Sequence, residues 1–232
     1  MKKIIFAFSV IFAFLCPPIV RAQEFFDTSE ASTFCSFSAR LGFNTSNKTF
    51  PDGYFTLWNH NSWGTGVNVG GLVNLNFREY LSLQPGLFIE SRSGDYAYLT
   101  NYLNYATKED THYQMGHLRG YYVTIPVMAI VKFNLAENIK WSVELGPYFQ
   151  WAGRQTGDNN IIVLYRLPQN TGYSQYTAKH ETLDAGAKVG TGLQFFQHYY
   201  IGMHYLAGFR HTWKQPEGGK NKSWVFTLGY DF

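Results

Sequence analysis

Alternation with a period of two runs through this chain from residue 34 to residue 232. In Leu183–Phe195 the odd positions read Leu183, Ala185, Ala187, Val189, Thr191, Leu193 and Phe195. The even positions read Asp184, Gly186, Lys188, Gly190, Gly192 and Gln194. Successive side chains of an extended strand leave opposite faces, so the two faces of this segment meet different surroundings. Residues 141–151 repeat the pattern, with Trp141, Val143, Leu145, Pro147, Phe149 and Trp151 against Ser142, Glu144, Gly146, Tyr148 and Gln150. The C-terminal segment sets Trp224, Phe226, Leu228, Tyr230 and Phe232 against Val225, Thr227, Gly229 and Asp231. The periodicity predicts eight strands, at 34–43, 63–77, 80–92, 118–133, 141–151, 182–196, 199–213 and 223–232.

The gaps between these strands alternate long and short without exception: 44–62, 78–79, 93–117, 134–140, 152–181, 197–198 and 214–222. Hairpins with tight turns at one end and long loops at the other are the form of an outer-membrane barrel. The expected fold is therefore all-β, an eight-stranded antiparallel up-and-down transmembrane β-barrel. An even strand number places both termini at the short-turn end, which in such barrels is periplasmic.

Which face meets lipid follows from the chemistry of the faces. The polar faces carry too much Gly and too little charge for a solvated surface, in a chain that is 19% aromatic and 15% charged. The apolar faces end in aromatics: Trp63 and Phe77, Trp141 and Trp151, Phe195, Tyr199, Trp213 and Phe232. Aromatics at both ends of apolar strands form the two interfacial girdles of a membrane barrel. Pro85 and Pro147 fall inside strands on the outward face and predict bulges there, since proline withholds a ladder donor.

The first 22 residues read as a removable secretory signal. Lys2 and Lys3 precede an apolar run over 4–15, Pro17 and Pro18 break it, and Val20-Arg21-Ala22 supplies small residues for cleavage before Gln23. The barrel domain is then 23–232. The net charge of +3 belongs to the signal, because Lys2, Lys3 and Arg21 leave 16 of 19 basic residues against 16 acidic ones. A nucleic-acid partner is thereby excluded as an expectation. Cys35 alone remains after cleavage, so no internal disulfide is available, and it reads as a small outward hydrophobe.

By the same parity the inward side chains include Arg40, Glu90, Arg92, Lys132, Glu144, Asp184, Lys188, Arg210 and Asp231. Eight strands enclose a lumen that side chains can fill, and buried charges must be paired. The expectation is a salt-bridged polar plug. His204 is also inward and is expected to pair with lumen carboxylates.

The chain resembles the small outer-membrane β-barrel proteins of Bacteroidota, the PorT-like outer-membrane β-barrel domain group. The resemblance is carried by Tyr121-Tyr122-Val123-Thr124-Ile125-Pro126-Val127, by Glu144-Leu145-Gly146-Pro147-Tyr148, and by 184–192 with its Asp-Ala-Gly-Ala-Lys-Val-Gly-Thr-Gly run. Thr124 stands where the family often has an acid. The terminal strand ending in Phe232 is similar to the signal read by the barrel-insertion machinery. Membership implies a barrel in the outer membrane of a Gram-negative bacterium, with outer-membrane lipid and the insertion machinery as partners. It implies no particular activity.

Sites of chemistry are sparse. Some small barrels that this chain resembles modify lipids with Ser, His and an acid at the outer rim. Candidates here are His211, or His112 and His117 with Glu109 and Asp110. No Gly-x-Ser-x-Gly elbow and no zinc-like His spacing is present, and no catalytic residue, metal or cofactor is predicted. The 93–117 loop instead gathers Tyr96, Tyr98, Tyr102, Tyr105 and Tyr113, with Tyr165, Tyr173 and Tyr176 in the next long loop. Tyr offers large amphipathic contact area at low ordering cost, so these loops suit recognition of a glycan or surface protein; they equally suit a rim cap or strands extended above the membrane. The leading expectation is a structural or surface-interaction barrel. A narrow channel or secretion-system accessory is the second reading, and a lipid-modifying enzyme the third.

Overall fold

The computed structural model describes residues 25–49, 63–99, 113–156, 162–166, 173–177, 182–211, 213–214, 217–218 and 220–232. The signal segment 1–22 lies outside them. The described strands in chain order are β1 (Cys35–Thr49), β2 (Gly64–Arg78), β3 (Leu81–Leu99), β4 (Tyr113–Ala136), β5 (Ile139–Thr156), β6 (Ile162–Arg166), β7 (Tyr173–Thr177), β8 (Leu183–Phe195), β9 (Tyr199–Gly208), β10 (Trp213–Lys214), β11 (Glu217–Gly218) and β12 (Lys220–Asp231).

Eight of these close into a barrel in the order β1-β12-β9-β8-β5-β4-β3-β2, and every neighbouring pair is antiparallel. They are the eight strands that the alternation predicts. The remaining four form two small hairpins in the long connections, β6 with β7 and β10 with β11. Closure removes the sheet edge, which a membrane-spanning sheet cannot leave unpaired. The seam joins the first and last strands over Ser38↔Asp231 to Thr49↔Lys220, and the Phe232 N–H donates to the Phe37 carbonyl at 2.9 Å.

The short-turn end is tightly built. Glu79-Tyr80 and Glu137-Asn138 connect β2 to β3 and β4 to β5. Between β8 and β9, Phe196 and Gln197 take left-handed backbone angles (φ 50° and 66°), a turn that usually selects Gly or Asn. Neighbours hold it: the Phe196 N–H donates to the Asn138 carbonyl at 2.9 Å, and Gln194 Nε2 donates to the Gln197 carbonyl at 2.8 Å. At the other end the strands outrun the membrane. The 24 residues of β4 exceed the roughly 9–11 that a tilted strand needs to cross. Its ladder with β3 continues to Leu99↔Tyr113.

The predicted bulges at Pro85 and Pro147 are not there. Pairing skips steps on one side of each proline and resumes in the same register, as Leu72↔Gly86 and Leu75↔Leu83 show around Pro85 and Pro126↔Tyr148 and Ala129↔Leu145 around Pro147. An outward-facing proline costs its ladder one bond without needing an extra residue. The register shifts fall instead at Asn76/Arg78, Gly120/Tyr122 and Asn134/Ala136.

The two faces are inverted relative to a soluble protein. Phe37, Leu41, Val67, Ile89, Leu145 and Leu228 are exposed on the outside. Arg40, Asn44, Asn68, Glu90, Glu144 and Gln150 are buried within. The interior is not wholly polar, however: Leu72, Phe88, Met128, Leu206 and Val225 also point inward and are buried. Glycines on neighbouring strands make room for the larger inward groups. A side chain at Gly192 or Gly202 would strike the Tyr200 ring, and one at Gly70 would strike Phe88.

Candidate functional site: the lumen and its short-turn mouth

Strand parity brings eight of the nine predicted lumen charges to the inner face, and the register sorts them into clusters. Toward the long-loop end, Arg92 Nη2 lies 2.6 Å from Glu90 Oε2, two residues away on the same inward face of β3. The guanidinium also sits 5.3 Å from the Tyr122 ring centroid. Gln150 Nε2 donates to Thr124 Oγ1 at 2.7 Å and reaches toward Glu90 at 3.4 Å. Asp184 accepts from Asn221 Nδ2 at 2.9 Å and from the Tyr148 hydroxyl at 3.3 Å. Each charge in this layer therefore has a counter-charge or donors, which burial requires.

The middle of the lumen is organised by Glu144. Its carboxylate accepts from the Tyr200 hydroxyl (2.7 Å) and the Ser142 hydroxyl (2.8 Å), and Nε2 of His204 lies 2.8 Å from its second oxygen. The expected pairing of His204 with a lumen carboxylate is thus formed, across 60 residues of sequence. A serine, a histidine and an acid converge here, yet not as a nucleophile triad. The Ser142 hydroxyl donates to the carboxylate and to the Gly192 carbonyl, not to the imidazole that would have to take its proton. Lys188 lies nearby with its ammonium 5.2 Å from the Phe88 ring centroid. Arg40 stacks over Tyr200 at 4.2 Å and pairs with Asp231 at 2.6 Å, tying β1 to β12 at the barrel seam. Gln194 Nε2 holds the other Asp231 oxygen at 2.7 Å.

Below this layer a polar cavity of about 460 Å³ opens at the short-turn end. Lys132, Glu144, Arg40 and Asp231 line its inner part, and Glu79, Lys140 and Asp27 its mouth. The segment before β1 crosses part of that mouth, a contact without periodicity to announce it. Phe25 and Phe26 pack on Phe133 at 5.0 and 4.9 Å, and Phe26 meets Tyr80 edge-on at 6.0 Å. The Ser32 N–H donates to Glu79 Oε1 at 3.0 Å, while Lys140 lies 3.1 Å from Glu79 Oε2. The Ser32 amide, then Lys140, holds the Glu79 carboxyl below the usual glutamate range. Asp27 is also lowered, by hydrogen bonds from the Ser29 hydroxyl and amide.

Arg210 is a correction. It is expected in the lumen by extending β9 to residue 213, but β9 ends at Gly208 and Arg210 is exposed beyond it. Parity has no meaning once the strand stops. His211 lies in the same connection. Of the other rim candidates, His112, Glu109 and Asp110 lie outside the described residues, as does the His117 side chain. Tyr102 and Tyr105 also lie outside them; Tyr96, Tyr98 and Tyr113 occupy ladder positions in the extended β3–β4 hairpin, with Tyr96 opposite Gly116 and Tyr98 opposite Gln114. Among the described residues no three His, Cys, Asp or Glu side chains gather as a metal site.

A family model described as outer membrane protein beta-barrel domain matches residues 22–214. The chain belongs to that family. This outer-membrane barrel is also similar to solved structures. Neisserial surface protein A (NspA) aligns at 11% identity and a TM-score of 0.47, covering 85% of this chain and 99% of that one. OprG from Pseudomonas aeruginosa aligns at 11% identity and 0.45, covering 89% and 98%. Ail, the attachment invasion locus protein of Yersinia pestis, aligns at 15% identity and 0.37, covering 86% and 100%. No curated protein matches in sequence.

Proposed function

We propose that this outer-membrane protein is a closed barrel whose lumen is filled by its own side chains and whose work is done at its two ends. The observation that carries this reading is an interior filled by side chains, with its central acids paired. Glu144 has three side-chain partners, Glu90 pairs with Arg92, and Tyr148 and Met128 are 0% and 1% exposed between them. An open pore keeps its charged groups hydrated, whereas here Arg40 and Asp231, Glu90 and Arg92, and Glu144 and His204 are spent on one another. The purified full-length barrel in planar bilayers should give no stable large conductance. A reproducible open level of porin size refutes the closed reading.

On this reading the short-turn end, with both termini, faces the periplasm, and the long connections face outward. The Tyr-rich 93–117 region is the surface-interaction element, suited to a glycan or a protein surface by the amphipathic reach of Tyr. The β3–β4 ladder supports it by carrying part of that region past the membrane on a paired hairpin. Deleting 95–114 should leave a folded, heat-modifiable barrel that loses cell-surface binding; failure to fold assigns the hairpin a structural role instead. The Tyr121–Val127 and Glu144–Tyr148 runs support placing the chain with the PorT-like barrels of Bacteroidota.

A further inference from the structure

Four cationic side chains line the short-turn cavity, and three of them have a carboxylate partner. Arg40 is 2.6 Å from Asp231, Lys140 is 3.1 Å from Glu79, and Arg78 is 3.8 Å from Glu30. Lys132 differs. Its ammonium donates to the Asn76 amide oxygen at 3.4 Å, and among the described residues no carboxylate lies within ion-pair distance of it. The three nearest candidates are engaged elsewhere: Glu79 by Lys140 and Ser32, Asp231 by Arg40 and Gln194, Glu144 by His204, Tyr200 and Ser142.

We infer that this cavity is a binding site for a small organic monocarboxylate, with the Lys132 ammonium as its anchor. An ammonium in a partly enclosed site, with donors to spare, gains most from a charged acceptor. The cavity volume of about 460 Å³ falls in the range of small-molecule sites, roughly 300–1,000 Å³. The choice of a single negative charge follows from the surroundings. Glu79, Glu144, Asp231 and Asp27 line the same cavity and oppose a dianion such as phosphate, whereas Lys132, the lining cation without an ion pair among the described residues, can seat one carboxylate. The buried Ile130 gives a short carbon stem an apolar wall beside the amine. The inference rests on the cavity and its charges; it holds whether or not the lumen conducts, and whichever compartment the short-turn end faces.

The test uses the full-length barrel in detergent micelles, titrated with butyrate and with butyramide, its uncharged match. Butyrate should bind saturably, and butyramide at least about ten-fold more weakly, a difference of about 1.4 kcal/mol. Lys132→Met should lose butyrate affinity by a similar factor, Lys132→Arg should retain it, and Lys222→Met at the far end of the barrel should leave it unchanged. The Lys132 Cε–Hε resonance, assigned by its disappearance in Lys132→Arg, should shift with butyrate and stay still with butyramide. That shift decides the matter even if Lys132→Met does not fold. Absence of saturable butyrate binding, equal binding of butyramide, or unaltered binding by a folded Lys132→Met barrel overturns the inference.

Discussion

Arg40 and Leu41 are consecutive residues of β1 in opposite solvents. Arg40 is 5% exposed, stacked on Tyr200 and paired with Asp231; Leu41 is 61% exposed on the outer wall. In a soluble barrel the leucine is inside and the arginine outside. Here the inner face is held by directional contacts, each needing its own partner, whereas the outer face needs only to be apolar along a band. The two faces should therefore respond differently to substitution: the inner one to loss of a particular atom, the outer one to any charge at all.

The largest effect is expected where one inner group serves the most partners. Glu144→Ala leaves His204, Tyr200 and Ser142 without their shared acceptor, and loss of one member of a buried charged cluster costs about 3–5 kcal/mol. Urea unfolding of the barrel refolded into lipid vesicles measures it. A cost below about 1 kcal/mol, the range of exposed pairs, means that the lumen is hydrated and the inner face behaves like a surface.

On the outer face, Leu41→Arg places a charge between Leu228 and Val69, its partners on either side. A lipid-facing arginine near the midplane costs about 2–4 kcal/mol, while Leu41→Phe should be close to neutral. The same vesicle assay reads both. If the two variants are equivalent, the band is not in lipid.

The smallest effect lies at the short-turn mouth, where neither solvent dominates. The Glu79 carboxyl titrates below its ordinary value because the folded chain donates the Ser32 amide and the Lys140 ammonium to it. Its stabilisation is therefore complete above the unfolded value, about 4.3, and is lost as pH falls through the lower folded value. Hydrogen-exchange protection of the 25–34 segment, taken relative to the intrinsic rate at each pH, should be higher at pH 6 than below pH 4, with the protection of the β-ladder amides unaffected. Glu79→Gln should remove that difference between pH 6 and pH 4.

Much of this architecture is legible in the sequence because lipid enforces alternation on every crossing. Strand count, hairpin order and the inward placement of Arg40, Glu90, Arg92, Lys132, Glu144, Asp184, Lys188 and Asp231 all follow from that one constraint. What alternation cannot carry is pairing. Arg92 meets Glu90 on its own strand, while Glu144 meets His204 from 60 residues away, and only the register separates these cases. Inward apolar residues such as Leu72 and Met128 are hidden because Gly and Leu satisfy an interior position equally well when a neighbour fills the space. The Phe25–Phe26 contact with Phe133 lies outside any periodic segment, and Arg210 fails because parity was carried five residues past the end of β9.

The inversion of the two faces is tested most directly by nuclear Overhauser contacts in a lipid nanodisc. Methyl groups of Leu41, Val67, Ile89 and Leu228 should show cross-peaks to acyl-chain protons and none to water. Side-chain amides of Asn44 and Gln150 should show no acyl contact. Water cross-peaks at the outer methyls, or acyl contacts at the inner amides, would contradict the assignment of lipid to the apolar face.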